Sequence, residues 1–352
     1  MTGSKLSPDP QRQLPLPPHY DPQRLGQVYR VPYGKRATEA PAWAVEHGLH
    51  PASQDGLRIA LLLVDVQNTF CLPEFELFVG GRSGQGAVED NRRLCEFIYR
   101  NLGGISQVIC TLDTHRAAQV FHPLYLIGPD GSHPAPLTLV SHQDVITGRW
   151  RFNSAIAASL GITPEIAQRQ LEHYTAELAR LGKYELTIWP YHAMLGGIGH
   201  ALVSAVEEAV FFHSLARSSQ AQFEIKGQYT GVENYSVIGP EVLTGPQGEI
   251  IAEKNPRFLQ MVKEYDALII AGQAKSHCVV WTVADLLEQI QAEDPALSRK
   301  VILLEDCTSP VVVPGVIDYT DTADQAFQSF AAAGMRIGRS SQTLVELLDD
   351  TP

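Results

Sequence analysis

The chain has 352 residues, 44% of them hydrophobic and 19% charged, with a formal net charge of −12 at neutral pH. That length and apolar content suffice for an elaborated α/β domain with a real core, and they exclude a chain disordered throughout. So acidic a chain, without a dense basic run, argues against nucleic acid as a partner.

Residues 1–57 contain many Pro, Gln and His and carry no sustained helical or strand period. They read as an extended N-terminal arm that orders by packing on the body or on a neighbouring subunit. The opening MTGSKLSPDPQRQ lacks the apolar core of a secretory signal, and the apolar run Ile59–Val64 is far too short to span a membrane. Five cysteines at 71, 95, 110, 278 and 307, with no CxxC pair, read as reduced thiols. The expectation is a soluble, cytoplasmic protein with no membrane partner.

From residue 58 the pattern changes. Leu57–Val64 is a nearly continuous apolar run that stops at Asp65, as a buried parallel strand would. Ala87–Leu102 has a helical pattern, and Gln107–Leu112 is a second strand. Residues 129–185 fit the alternation badly. They open on the turn Pro129-Asp130-Gly131, and Thr163 then caps a helix with Pro164 at its first position. Its apolar residues Ala167, Leu171, Tyr174, Leu178 and Leu181 follow the helical period until Gly182 stops it. This segment reads as an insertion carrying one amphipathic helix. Gly199–Leu215 is a further helix and Gln222–Lys226 a short strand. Ala267–Ala271 is a strand followed after a tight turn by the helix Cys278–Ile290. Lys300–Leu304, the helix Asp321–Ala333 closing on Gly334, and the short run Met335–Ile337 complete the series. Strands alternating with helices predict a three-layer α/β/α fold with a mainly parallel central sheet of about six strands, plus the helical insertion and the arm. The fold would occupy residues 58–346, interrupted at about 129–185, with 347–352 as a tail. In such sheets chemistry sits at the carboxyl ends of the strands.

Four features there could carry chemistry. Cys278 stands in Ile270–Trp281, a strand, a turn and a helix start, where the helix dipole favours a thiolate. Backbone N–H groups of the turn around Gly272 and Ala274 could form an oxyanion hole. A lone cysteine is more often a small buried hydrophobe. Asp65 ends the first strand, where an acid often does no more than cap a loop, and an isolated Lys226 reads as a surface lysine. As a trio on separate strand ends, Asp65, Lys226 and Cys278 make sense as base, balancing cation and nucleophile. Finally, Asp113-Thr114-His115 sets two ligand side chains on one side of an extended segment, and His122 and His192 follow. Two or three histidines with one carboxylate suit one divalent transition metal: zinc first, with iron or manganese as alternatives.

Together the segments Val64–Cys71, Asp113–His115, Trp189–His192, Lys226-Gly227 and Ala271–Cys278 resemble, in order, those of nicotinamidases in the isochorismatase-like cysteine hydrolase superfamily. The resemblance covers roughly residues 58–126 and 186–346. It implies Cys278 as nucleophile, Asp65 as general base and acid, and Lys226 as charge-balancing residue. Asp113, His115, His122 and His192 match the metal ligands. Phe70 and Trp189 match the aromatics that sandwich the substrate ring, and Tyr235 matches a pocket tyrosine. The Gln273–Ala274 bond falls where the family carries a cis peptide, with the Ala274 and Cys278 amides as oxyanion donors.

The implied activity is metal-dependent hydrolysis of nicotinamide, or a closely related heteroaromatic amide, to the acid and ammonia through a thioester. The small-molecule amide is the expected partner, in a homo-oligomer, and the metal positions the substrate through its ring nitrogen. The chain departs from the family's pattern in its arm, its insertion beside the metal residues, Ala193 after His192, and Lys275-Ser276 before His277. These departures leave two alternatives: a cysteine hydrolase of the same kind for a different amide or carbamoyl substrate, and a non-catalytic binding protein on the same fold.

Overall fold

The computed structural model describes residues 13–349; residues 1–12 of the arm and 350–352 of the tail lie outside it. The chain forms two compact units. The first comprises described residues 13–112, 201–224 and 256–349, and the second residues 113–200 and 225–255.

The core of the architecture is a six-stranded sheet: β1 (Ile59–Val64), β2 (Gln107–Asp113), β3 (Gln222–Lys226), β4 (Ala267–Gly272), β5 (Val301–Leu304) and β6 (Arg336–Gly338). All six lie where the sequence pattern predicts them, within two residues at each end. Their spatial order is β6-β5-β4-β1-β2-β3. The pairings β6–β5, β5–β4, β4–β1 and β1–β2 are parallel. β1, β4 and β5 are buried along their whole length, which is why their sequences are unbroken apolar runs.

Helices cover both faces and complete the three-layer α/β/α fold. The longer helices are, in chain order, α1 (Tyr33–His47), α2 (Gly86–Arg100), α3 (Pro164–Leu181), α4 (Ser204–Ala216), α5 (Arg257–Glu264), α6 (Val280–Glu293) and α7 (Thr320–Ala332); all but α3, which lies within the second unit, belong to the first. α1, α2 and α4 pack together, burying Ala40, Ala44, Leu94, Ile98, Val206 and Val210 with Ile59, Leu61 and Leu63 of β1. α5, α6 and α7 form a second group through α5–α6 and α6–α7 contacts. No described helix is long and apolar enough to cross a membrane.

α1 lies within the segment expected to be extended. Its inward positions are Arg36, Ala40 and Ala44, one turn apart. None is a large hydrophobe, and Pro41 sits inside the helix, so the sequence carries no apolar stripe there. Arg36 is buried because its Nε donates to Glu208 of α4 at 2.6 Å.

In the second unit, α3 starts and stops as its caps predict. The Thr163 hydroxyl accepts from Ile166 N–H, and Gly182 ends the helix at φ +65°. Ala167, Leu171, Tyr174 and Leu178 are buried, whereas Leu181, at the last turn, is exposed. Two short antiparallel pairs, Leu126–Ile127 with Arg151–Phe152 and Leu139–Val140 with Leu186–Thr187, fasten the ends of the insertion.

Candidate active site and metal centre

The order of the sheet reverses at β1 and β4. After β1 the chain builds outward through β2 and β3, and from β4 it builds the other way through β5 and β6. Adjacent strand ends at such a reversal open a crevice. β1 and β4 are in register there, Val64 opposite Gly272. Gly272 has φ +120°, and a Cβ at this position would lie 2.1 Å from the Val64 carbonyl oxygen, so no other residue fits the approach.

Asp65 follows β1, fully buried, with φ +46°. Thr111 of β2 fixes it from two sides. The threonine hydroxyl donates to Asp65 Oδ1 at 2.6 Å and accepts the Asp65 N–H at 3.0 Å. Beyond Gly272, Gln273 N–H donates to the Val64 carbonyl at 2.8 Å, and the Gln273–Ala274 bond is cis, as the resemblance implies. Gln273 is itself braced. Its amide donates to Asp90 of α2 at 2.8 Å and accepts from Ser309 N–H at 3.2 Å. Lys275–Val279 then forms a π-type turn that runs directly into α6 and carries the buried Cys278. Lys275 turns toward α7, pairing with Asp324 and lying 4.5 Å over the Phe327 ring. Phe70 is buried in the short helix Asn68–Cys71. Asp65, Phe70, Ala274 and Cys278 thus belong to the first unit.

The second unit gathers the metal candidates. One nitrogen from each of His115, His122 and His192 lies within 4.8 Å of the others, and all three rings are buried. Each Nδ1 faces a backbone carbonyl: His115 to His192 at 3.1 Å, His122 to Arg116 at 3.0 Å and His192 to Pro190 at 2.7 Å. A carbonyl only accepts, so every Nδ1 carries a proton and each Nε2 is the nitrogen available to a metal. His122 Nε2 is buried without a hydrogen-bond partner among the described residues. Asp113 Oδ1 stands 2.8 Å from His115 Nε2, and its Oδ2 is 4.0 Å from His192 Nε2. Two acceptors as close as Asp113 Oδ1 and His115 Nε2 need a proton on the ring or a cation bound to both. The donor set therefore fits a divalent metal.

Burial alone would raise the Asp113 carboxyl, but His115 and Lys226 reverse this and hold it well below the usual carboxylate range. Burial, followed by the neighbouring His115, pushes His122 down to about 4, which keeps its imidazole neutral. Lys226 is buried at the end of β3; its ammonium donates to the Asn234 carbonyl at 2.8 Å and lies 3.2 Å from Asp113 Oδ1. Gly227, φ +82°, follows it where a Cβ would meet the Thr114 carbonyl oxygen at 2.9 Å.

Trp189 and Tyr235 are brought together in the same unit, with Trp189 Nε1 3.3 Å from the Tyr235 hydroxyl. Both meet a residue that sequence reasoning missed. Glu233 accepts from Trp189 Nε1 at 3.0 Å and from the Tyr174 hydroxyl at 3.3 Å, and its own N–H donates to that hydroxyl at 3.2 Å. Burial pushes the Glu233 carboxyl up to about 8, against the hydrogen bonds it accepts. Its sequence signal was faint: a single acid in Gly231-Val232-Glu233-Asn234-Tyr235, a loop with no periodicity.

No family model matches the chain, and no curated protein sequence matches it. Solved structures do. A nicotinamidase–pyrazinamidase of Acinetobacter baumanii is 16% identical, with 80% of this chain and 96% of that chain covered at a TM-score of 0.47. The yeast nicotinamidase bound to the inhibitor nicotinaldehyde is 15% identical, covering 80% and 99% at a TM-score of 0.49. A pyrazinamidase of Pyrococcus horikoshii in complex with zinc is 16% identical, covering 80% and 98% at 0.41. The chain is distantly similar in structure to these nicotinamidases and pyrazinamidases.

Proposed function

We propose that the chain is a metal-dependent cysteine amidase that hydrolyses nicotinamide, or a closely related heteroaromatic amide, to the acid and ammonia. The observation that carries this reading is the pairing, at the point where the sheet order reverses, of an acid that ends β1 with a cysteine in the opening helical turn after β4. An acid and a thiol on adjacent strand ends suit acyl transfer better than a passive packing role.

In the proposed reaction the Asp65 carboxylate takes the proton of the Cys278 thiol. The thiolate attacks the amide carbonyl and forms a C–S bond, while the Ala274 and Cys278 amides stabilise the oxyanion. Collapse breaks the C–N bond, and Asp65 returns its proton to the departing ammonia. Asp65 then deprotonates a water, which adds to the thioester; the C–S bond breaks, the acid leaves and the thiol is restored. Lys226 is assigned to balance the changing charge, and Phe70, Trp189 and Tyr235 to hold the substrate ring. Asp113, His115, His122 and His192 would hold the metal, zinc in the first instance. When bound, the metal supplies a Lewis-acidic position for the substrate's ring nitrogen. A second reading, a different amide, is favoured by one observation: Tyr174 of the insertion reaches the carboxyl that holds Trp189.

The test is ammonia release from nicotinamide by the zinc-loaded protein, with Cys278→Ala beside it. The reading expects wild-type turnover and a loss of at least about a thousandfold in the variant, with an unchanged circular dichroism spectrum. Residual activity near wild type overturns the nucleophile. A folded, metal-loaded wild type inactive on nicotinamide but active on another amide moves the assignment to the second reading.

A further inference from the structure

The 129–185 insertion meets the proposed substrate wall through Tyr184, whose ring centroid lies 6.3 Å from that of Tyr235, and through Tyr174. Tyr174, from the buried face of α3, presents its hydroxyl to Glu233 twice, donating to the carboxyl at 3.3 Å and accepting the backbone N–H at 3.2 Å. The other carboxyl oxygen of Glu233 accepts the indole N–H of Trp189 at 3.0 Å. Tyr174, Glu233 and Trp189 are all under 9% exposed. A buried indole N–H needs an acceptor, and a buried carboxyl needs donors. Each residue of this trio answers the need of the next.

We infer that Glu233 is a positioning residue for Trp189, itself held by Tyr174, so that the insertion sets the angle of the aromatic wall assigned to the substrate ring. This rests on the reading of Trp189 as a substrate-binding residue. The insertion then serves as a buttress behind the wall, acting on substrate fit and leaving the bond-breaking step alone.

Three features support a holding role over a proton-transfer role. Glu233 spends its carboxyl oxygens on Trp189, Tyr174 and the neighbouring Tyr235 hydroxyl. Burial keeps it largely protonated at neutral pH, the form that an amide side chain imitates. Glu241, whose N–H donates to the Glu233 carbonyl at 2.9 Å and whose carboxylate pairs with Lys183 at 2.8 Å, adds its negative charge to burial in keeping Glu233 protonated.

The test compares Glu233→Gln, Glu233→Leu and Tyr174→Phe in the zinc-loaded, full-length protein, with nicotinamide as substrate. Gln keeps an acceptor for the indole, Leu keeps bulk without one, and Phe removes only the hydroxyl. The expectation is a KM raised about tenfold by Glu233→Leu, with kcat changed less than about threefold, and a KM within about twofold of wild type for Glu233→Gln. Tyr174→Phe should shift KM in the same direction as Leu. Loss of folded enzyme would lower the apparent kcat and leave KM alone, so the split separates positioning from simple destabilisation.

A second readout needs no activity. The emission owed to Trp189, taken as the difference from Trp189→Phe on each background, should become more accessible to acrylamide in Glu233→Leu and stay shielded in Glu233→Gln. An active wild type whose KM is unmoved by Glu233→Leu overturns the inference and leaves the amidase reading standing. So does a collapse of kcat in Glu233→Gln, which would make the carboxyl a proton carrier. A wild type inactive on every amide overturns the amidase reading and the substrate part of this inference, and unchanged quenching in Glu233→Leu then removes the clamp as well.

Discussion

The most informative residue of the candidate metal centre is His122. His115 and His192 have other polar neighbours within 4 Å, whereas His122 spends Nδ1 on the Arg116 carbonyl and buries an Nε2 that has no partner among the described residues. Leaving a buried polar atom unsatisfied costs about 1–3 kcal/mol. A bound metal removes that cost, so metal and fold should support one another through this ring. His122→Ala is expected to lower zinc content from about one per chain to well under half after gel filtration, as read by elemental analysis. Chelation should lower the thermal midpoint of the wild type by several degrees and that of the variant much less, since ligand binding stabilises only the state that binds. Equal zinc content in both proteins would remove His122 from the ligand set. Asp113 is a different case, because its carboxylate already has Lys226 at 3.2 Å. Its replacement by Asn should weaken zinc less than the loss of a ring.

At the scale of elements, the turn between β4 and α6 is held by other elements more than by its own sequence. Gln273 links it to α2 through Asp90 and to the segment after β5 through Ser309. Ser309 also accepts the Lys275 N–H at 2.8 Å. Gln273→Met keeps the length of the side chain and removes both hydrogen bonds. It is expected to lower kcat about tenfold or more with little change in KM, because donors aimed at a developing charge matter only in the transition state. Unchanged kcat would make the brace purely structural. This bracing is long-range, which is why the motif Ala271–Cys278 was legible in the sequence and its supports were not. The same division runs through the fold. β1, β4 and β5 were readable because burial on both faces demands unbroken apolar runs, and α3 because Thr163, Pro164 and Gly182 mark its ends. α1 was hidden because a buried arginine and two alanines make its inner face, satisfied by Glu208 far along the chain. β3 was readable as a strand but not as an edge. Phe223 and Ile225 point outward, while Glu224 pairs with Arg257. Glu233 was invisible for the reason α1 was: besides its neighbour Tyr235, its partners are Trp189 and Tyr174, neither near it in sequence.

For the whole molecule, buried titratable groups away from the metal set opposing pH dependences. His213, donating to the Ile105 carbonyl, is pushed down to about 4 by burial, and His277, beside Ser276 and the Tyr319 ring, is pushed down to about 3 by the same cause. His19 is lowered to about 4, by burial and then by Arg36. In the unfolded chain these rings take up protons near pH 6.5. Between that pH and their folded values the unfolded state binds more protons, so stability falls as pH drops through this window. Glu233 works in the opposite sense. Its folded value of about 8 lies above the unfolded value, so the folded state binds more protons between about 4.5 and 8, and stability falls as pH rises there. The groups facing this carboxyl are Tyr174, Tyr235, Trp189 and Glu241, the last drawn toward Lys183. A fully buried group in its window contributes a slope of about 1.4 kcal/mol per pH unit. Three histidines outweigh one carboxyl below pH 6.5, and the carboxyl acts alone above it, which places the stability maximum near pH 6.5. Urea midpoints measured from about pH 4.5 to 8.5 should trace that maximum. Glu233→Gln should flatten the alkaline limb, and His213→Gln should make the acid limb shallower. The difference between wild type and variant cancels the general repulsion of a chain of net charge −12. An alkaline limb that survives Glu233→Gln unchanged would mean that the carboxyl is ionised throughout, with the Trp189 indole donating to a carboxylate instead of a carboxylic acid.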